Sequence, residues 1–207
     1  MNNKDWTGNS RTYAAVLGAH NFTEEDRETN DYYATDPKSL RVFLDRLKQD
    51  NIELKNNIWE CACGEGHLSE VLVENGYNVY STDLVDRGYG KPYVDFLKQT
   101  EKWNGDILTN PPYKYAKEFV EHSIYLLDDG GKCIMFLKLQ FLEGKARRKL
   151  FDEFPPKYIY VFSERQICAM NGDFGKYSNN GQTHGAVAYC WYIWEKGFNG
   201  EPIIRWL

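Results

Sequence analysis

Asn57-Ile58-Trp59-Glu60-Cys61-Ala62-Cys63-Gly64-Glu65-Gly66-His67-Leu68-Ser69-Glu70-Val71-Leu72 changes its periodicity halfway. Residues 57–61 read as a short buried strand. Leu68, Val71 and Leu72 then fall on one helical face, and Asn75-Gly76 supplies the stop. Between the two, Gly64 and Gly66 permit a tight turn. A strand that passes through glycines into a helix opens a βαβ unit, and that implies a parallel sheet.

Outward from this unit the chain keeps alternating. Further strands are predicted over 78–82, 93–97, 106–109, 133–139, 158–162 and 186–194, making seven in all. A helix starts at Asp36-Pro37, an N-cap followed by a first-turn proline, with Leu40, Phe43, Leu44 and Leu47 at helical spacing. Another carries Ala116, Phe119, Val120, Ile124 and Leu127, and a basic one spans 143–154. The expected class is α/β, with a mostly parallel seven-stranded sheet and helices on both faces. No helix separates the last two strands, so one of them should run antiparallel. Residues 1–30 are polar and weakly patterned and read as an arm, in part disordered; 31–207 reads as one domain with no separate recognition module.

Composition narrows the classes. The 207 residues are 42% hydrophobic and 27% charged, as suits a globular chain with its own core. No apolar run approaches the roughly 18 residues of a membrane span, and none follows Met1-Asn2-Asn3-Lys4-Asp5, so a cytoplasmic location is expected. Five cysteines, two of them (Cys61 and Cys63) one residue apart, read as buried thiols, and no metal is expected. The net charge of −5 argues against a generally basic nucleic-acid binder. Its distribution is uneven: residues 1–105 hold 12 basic and 18 acidic groups, and 106–165 hold 10 and 9. A polyanion would prefer the second half.

Ligands of open α/β sheets bind beyond the carboxyl ends of the strands. The turn Cys63-Gly64-Glu65-Gly66 sits at such a place, and Asp83, 23 residues after Glu60, ends the next strand where a carboxylate can accept both ribose hydroxyls. The third glycine of a nicotinamide fingerprint is replaced by Ser69, and no phosphate-loop lysine is present. Glu60 would repel a pyrophosphate but tolerate a sulfonium and an amino group. Downstream, Thr109-Asn110-Pro111-Pro112-Tyr113 follows a strand end. Two prolines restrict the backbone, Asn110 adds a carbonyl and Tyr113 a flat ring, a set able to receive a planar amine.

Glu60-Cys61-Ala62-Cys63-Gly64-Glu65-Gly66 resembles the S-adenosylmethionine motif of amino-group methyltransferases acting on adenine, and Asn110-Pro111-Pro112-Tyr113 resembles their catalytic motif. Tyr33-Ala34-Thr35-Asp36-Pro37 is similar to the family's additional cofactor motif, found upstream in a permuted order. The resemblance spans residues 31 to about 165 and is closest to small phage-type DNA adenine-N6 methyltransferases. It implies a Rossmann-like class I fold with S-adenosylmethionine as cofactor. By the same resemblance Thr35, Pro37, Glu60, Cys61, Gly64 and Gly66 would border the methionine end. Asp83 would hold the ribose, and Asp95 and Phe96 would bracket the adenine. Asn110, next to the cofactor, and the Pro111 carbonyl would bind the target amine, with Pro112 fixing the turn and Tyr113 stacking on the base.

DNA is the favoured partner on this resemblance, with RNA possible. A protein glutamine amide presents a similar planar nitrogen, and a catalytically silent cofactor-binding subunit is a further alternative. Larger family members carry a recognition domain. Here the substitute is the loop 163–184, whose Arg165, Phe174, Lys176, Tyr177 and His184 could meet phosphates and bases. Lys145, Arg147, Arg148 and Lys149 form a second basic group, which also reads as a solvated helix face.

Overall fold

The computed structural model describes residues 33–164, 166, 168–170 and 187–207. The chain begins there with β1 (Tyr33–Thr35) and α1 (Pro37–Gln49), whose Asp36 cap accepts the Lys38 N–H at 2.9 Å. Then come β2 (Asn57–Glu60), α2 (His67–Glu74), β3 (Asn78–Ser81), β4 (Asp106–Thr109), α3 (Ala116–Leu126) and β5 (Lys132–Lys138). Helix α4 (Lys145–Glu153), β6 (Tyr158–Val161), β7 (Cys168–Met170), β8 (Tyr189–Glu195) and β9 (Ile203–Trp206) complete the described elements.

Seven strands form one sheet in the order β3-β2-β4-β5-β8-β6-β9. Only β8 runs against its neighbours, so the sheet is mixed and the expected antiparallel strand is the one after β6. Alternate residues face opposite sides. Ile58, Leu108, Ile134, Phe136, Trp191 and Ile193 meet Leu40, Phe43 and Leu44 of α1 and Leu68, Val71 and Leu72 of α2. On the other face Trp59, Ile107, Met135, Tyr192 and Trp194 meet Phe119, Val120 and Ile124 of α3 and Leu150 of α4. Helices thus cover both faces.

Two expectations need correction. Residues 93–97 are not a strand: Tyr93 has a φ of +60°, and the Asp95 carboxylate accepts the Leu97 N–H at 3.1 Å to start a 3-10 turn over Phe96–Lys98. The seventh strand is instead β9, which pairs with β6 and is tied to α1 through Asp50, a partner of both Arg205 (2.5 Å) and Arg46 (3.0 Å). Its four residues at the sheet edge are half open to solvent and carry no alternation to reveal them. Within 163–184, read as a polar loop, β7 pairs antiparallel with β1, Thr35 opposite Cys168. The arm 1–30 lies outside the described residues, and no described helix is long and apolar enough to cross a membrane.

Candidate active site

Chain connectivity makes a crevice at one end of the sheet. From β2 the chain crosses through α2 to β3 on one side; from β4 it crosses through α3 to β5 on the other. Since β2 and β4 are parallel neighbours, strand order reverses between them. In open α/β sheets a ligand binds beside the turns that follow two such strands, here those after β2 and β4.

The glycine turn after β2 is stitched to β3. Thr82 N–H donates to the Glu60 carbonyl at 2.9 Å and Cys63 N–H to the Thr82 carbonyl at 3.0 Å. One Asp83 oxygen accepts the Gly64 N–H at 2.8 Å and the other accepts the Val85 N–H at 2.9 Å. Asp83 thus stands just after β3 and fastens the turn. Asp83→Ala should cost roughly 2–3 kcal/mol by stranding two amide donors. Urea unfolding measures the loss, and an unchanged midpoint would show that the two amides do not depend on Asp83.

Glu60 is 1% exposed. Ser69, on the first turn of α2, bonds its carboxyl, and the Ser69 and Ser81 hydroxyls lie 2.6 Å apart. Burial pushes the Glu60 carboxyl up to about 8; Ser69's hydrogen bonds pull it down, and nearby Asp83 adds to the rise. At neutral pH it is therefore mostly uncharged. Cys61 turns its thiol into the core beside Cys133, so what it offers a ligand comes from its backbone. Burial holds both thiols protonated, Cys133 rising to about 12. Among the described residues no cluster of His, Cys, Asp and Glu could hold a metal.

Tyr89 was not legible as a site residue. Its ring lies against Gly66, where a Cβ would come within 2.4 Å of the ring carbons. Gly66, at φ +87°, therefore serves both the turn and this close approach. Tyr89 also approaches Ser69, whose hydrogen bond favours the phenolate while burial pushes the phenol up. The one available signal was the glycine pair Gly88 and Gly90 around it, both at positive φ, which folds this loop back onto β3.

The upstream motif is brought to the same region: β1 packs against α2. Thr35 is 3% exposed, and its hydroxyl has no hydrogen-bond partner among the described residues; Pro37 opens α1. Asp95 is drawn towards Asp83 by the Val94 N–H, which donates to the Asp83 carbonyl at 2.9 Å. Phe96 is buried, with ring centroids 5.2 Å from Trp59 and 5.0 Å from Phe119. Its ring belongs to the core, which leaves its backbone for any adenine.

After β4, Asn110 is half-buried and Pro111 buried. The Pro112 carbonyl accepts the Tyr115 N–H at 2.9 Å, setting a 3-10 turn over Tyr113–Tyr115 that leads into α3. The Tyr113 ring centroid lies 6.2 Å from that of Tyr189. Arg165, Phe174, Lys176, Tyr177 and His184 lie outside the described residues. In α4, Arg148 pairs with Asp152 at 2.8 Å and Lys149 with Glu153 at 3.5 Å, as on a solvated face. Arg147 instead bonds the Phe141 carbonyl at 2.7 Å and clamps the turn after β5.

No family model matches the sequence, and no curated protein matches it. Solved structures do share its fold. A candidate class I S-adenosylmethionine-dependent methyltransferase from Listeria monocytogenes aligns with TM-score 0.59 and 14% identity, over 95% of this chain and 71% of that one. A candidate RNA methyltransferase from Pyrococcus horikoshii gives 0.57 and 11%, over 93% and 100%. The methyltransferase subunit of a type I restriction-modification system from Streptococcus thermophilus gives 0.56 and 14%, over 86% of this chain and 48% of that one. At these identities the likeness is one of fold.

Proposed function

We propose that this chain is an S-adenosylmethionine-dependent methyltransferase acting on the exocyclic amino group of adenine in DNA. One observation carries the reading. The glycine turn after β2 and Asn110-Pro111-Pro112-Tyr113 after β4 stand beyond neighbouring strand ends, at the reversal of strand order. Two motifs separated by 43 residues in sequence thereby follow the ends of adjacent parallel strands, which supports one shared site.

The residues present fit the cofactor. Thr35 keeps a buried hydroxyl without a partner among the described residues, as a ligand-facing group would. Asp83 offers carboxyl acceptors to ligand hydroxyls, and the buried Glu60 beside it, held neutral at pH 7, supplies no negative charge, so the repulsion of a pyrophosphate expected of it from sequence does not apply. Thr35, Pro37, Glu60 and the Cys61–Gly66 turn would hold its methionine end, Asp83 its ribose and Asp95 its adenine amino group. Bound there, S-adenosylmethionine supplies a methyl group made electrophilic by the sulfonium charge.

The chain's own residues do the rest. An aromatic amine is a weak nucleophile because its lone pair is delocalised into the ring. Asn110 and the Pro111 carbonyl would accept its two hydrogens, turn the lone pair out of conjugation and stabilise the positive charge that grows on nitrogen. The family resemblance gives this role to the Pro111 carbonyl, while the Pro112 carbonyl accepts the Tyr115 N–H. Tyr113 would stack on the base and fix its plane, and a base taken from duplex DNA must first be flipped out. DNA is favoured by the motif resemblance and by the fold's occurrence in a restriction-modification subunit.

Tritium transfer from labelled S-adenosylmethionine to plasmid DNA, total RNA and cell protein in parallel tests the reading. Label recovered from DNA as 6-methyladenine is the expected result. Label in RNA or protein would keep the chemistry and change the substrate, and no label in any pool would overturn the proposal.

A further inference from the structure

Lys138 ends β5, the strand next to β4 on the side away from the glycine turn. Its ammonium lies 4.8 Å from the centroid of the Tyr113 ring, the ring assigned above to the target base. Tyr189 is its cross-strand partner, so both project from the same face of the sheet, and Tyr189 stacks on Phe136 at 5.2 Å and 8°. The result is an aromatic shelf with one cation on it. Two other half-buried cations at this sheet have carboxylate partners: Lys157 has Glu195 at 2.8 Å, and Arg205 has Asp50 at 2.5 Å. Among the described residues no carboxylate comes within ion-pair distance of Lys138.

The backbone beneath it is well held. Tyr192 hydroxyl reaches the Lys138 and Leu139 carbonyls, both at 3.3 Å, and Leu139 N–H donates to the Ala188 carbonyl at 2.8 Å. Arg147 clamps the turn that follows. Half-buried on this held backbone and set against a ring, the ammonium lacks, among the described residues, an anion that would offset its desolvation.

We propose that Lys138 binds the backbone phosphate of the nucleotide whose base stacks on Tyr113, and so commits the site to a polynucleotide. This rests on the function proposed above and narrows it. A glutamine side chain brings no anion to the shelf, whereas a nucleotide brings one attached to the same sugar as its base.

The test compares wild type, Lys138→Gln and Lys138→Arg, all shown by thermal melting to be folded. It measures affinity for a short single-stranded oligodeoxynucleotide containing adenine, across about 50–200 mM salt, together with kcat and KM for its methylation. Removing one phosphate contact should lower the slope of log affinity against log salt by about 0.7. Lys138→Gln should also raise the oligonucleotide KM roughly tenfold, with the effect on KM rather than kcat, and Lys138→Arg should restore both. An unchanged slope in Lys138→Gln overturns the phosphate contact, as does a loss confined to kcat, which would make Lys138 a support for the Tyr113 ring. Either result leaves the adenine reading standing if wild type still methylates the oligonucleotide. Wild type that neither binds nor methylates it overturns both.

Discussion

Asn110→Ala should reduce methyl transfer by a factor on the order of 10²–10³ while leaving S-adenosylmethionine affinity within a small factor of wild type. The magnitude is that of removing one acceptor aimed at charge that develops only in the transition state. Asn110 follows β4 and takes no part in the Gly64–Asp83 contact that holds the glycine turn together, so its truncation leaves that turn intact. The Pro111 carbonyl remains, which is why a residual rate is expected. Single-turnover kinetics with saturating cofactor separate the chemical step from binding. Turnover at the wild-type rate would sink the assigned mechanism, and an equal loss of cofactor affinity would move Asn110 from the reaction to the cofactor site.

The second large effect concerns Glu60 and stability. Its carboxyl rises from an ordinary 4.5 in the unfolded chain to about 8 in the fold, chiefly through burial. Between those values the folded state keeps a proton that the unfolded state releases. This group's contribution is therefore fully present below about pH 4.5 and declines as pH rises, at up to ~1.4 kcal/mol per unit, until about pH 8. Glu60→Gln, neutral throughout and close in shape, removes the dependence. Its melting temperature should match wild type near pH 5 and exceed it near pH 9, the gap corresponding to a few kcal/mol. A constant difference across that range would mean that Glu60 is ionised in the fold. The Ser69 hydrogen bonds oppose the rise of the Glu60 carboxyl, and burial outweighs them.

Much of this was legible from local pattern. The helix after Asp36-Pro37 and the strand–turn–helix through Gly64 and Gly66 depend on neighbours in sequence, and both form over nearly the predicted residues. The reversed strand followed from a missing helix, which is a topological argument and equally local. Residues 93–97 failed for the opposite reason. Their composition suits a strand, but the Asp95 carboxylate finds the Leu97 N–H and competes with ladder hydrogen bonding. Strand β9 was missed because its pairing with β6 joins residues more than forty apart, with no period to announce it.

The site divides along the same line. Gly64, Gly66, Asp83 and Asn110-Pro111-Pro112-Tyr113 stood out because their chemistry is tied to short spacings and to strand ends. Tyr89 and Lys138 did not. A tyrosine between glycines and a lysine at a strand end are ordinary until the fold sets one against Gly66 and the other over Tyr113. The sequence alone determined the alternation of strands and helices and the two turns that carry the motifs, because hydrophobic period and backbone freedom act over a few residues. Only the tertiary structure decided that those turns stand at adjacent strand ends, that Phe96 belongs to the core, and that the Lys138 ammonium lies beside the motif's ring. These depend on strand order and on burial, and both are settled by contacts between residues far apart in the chain.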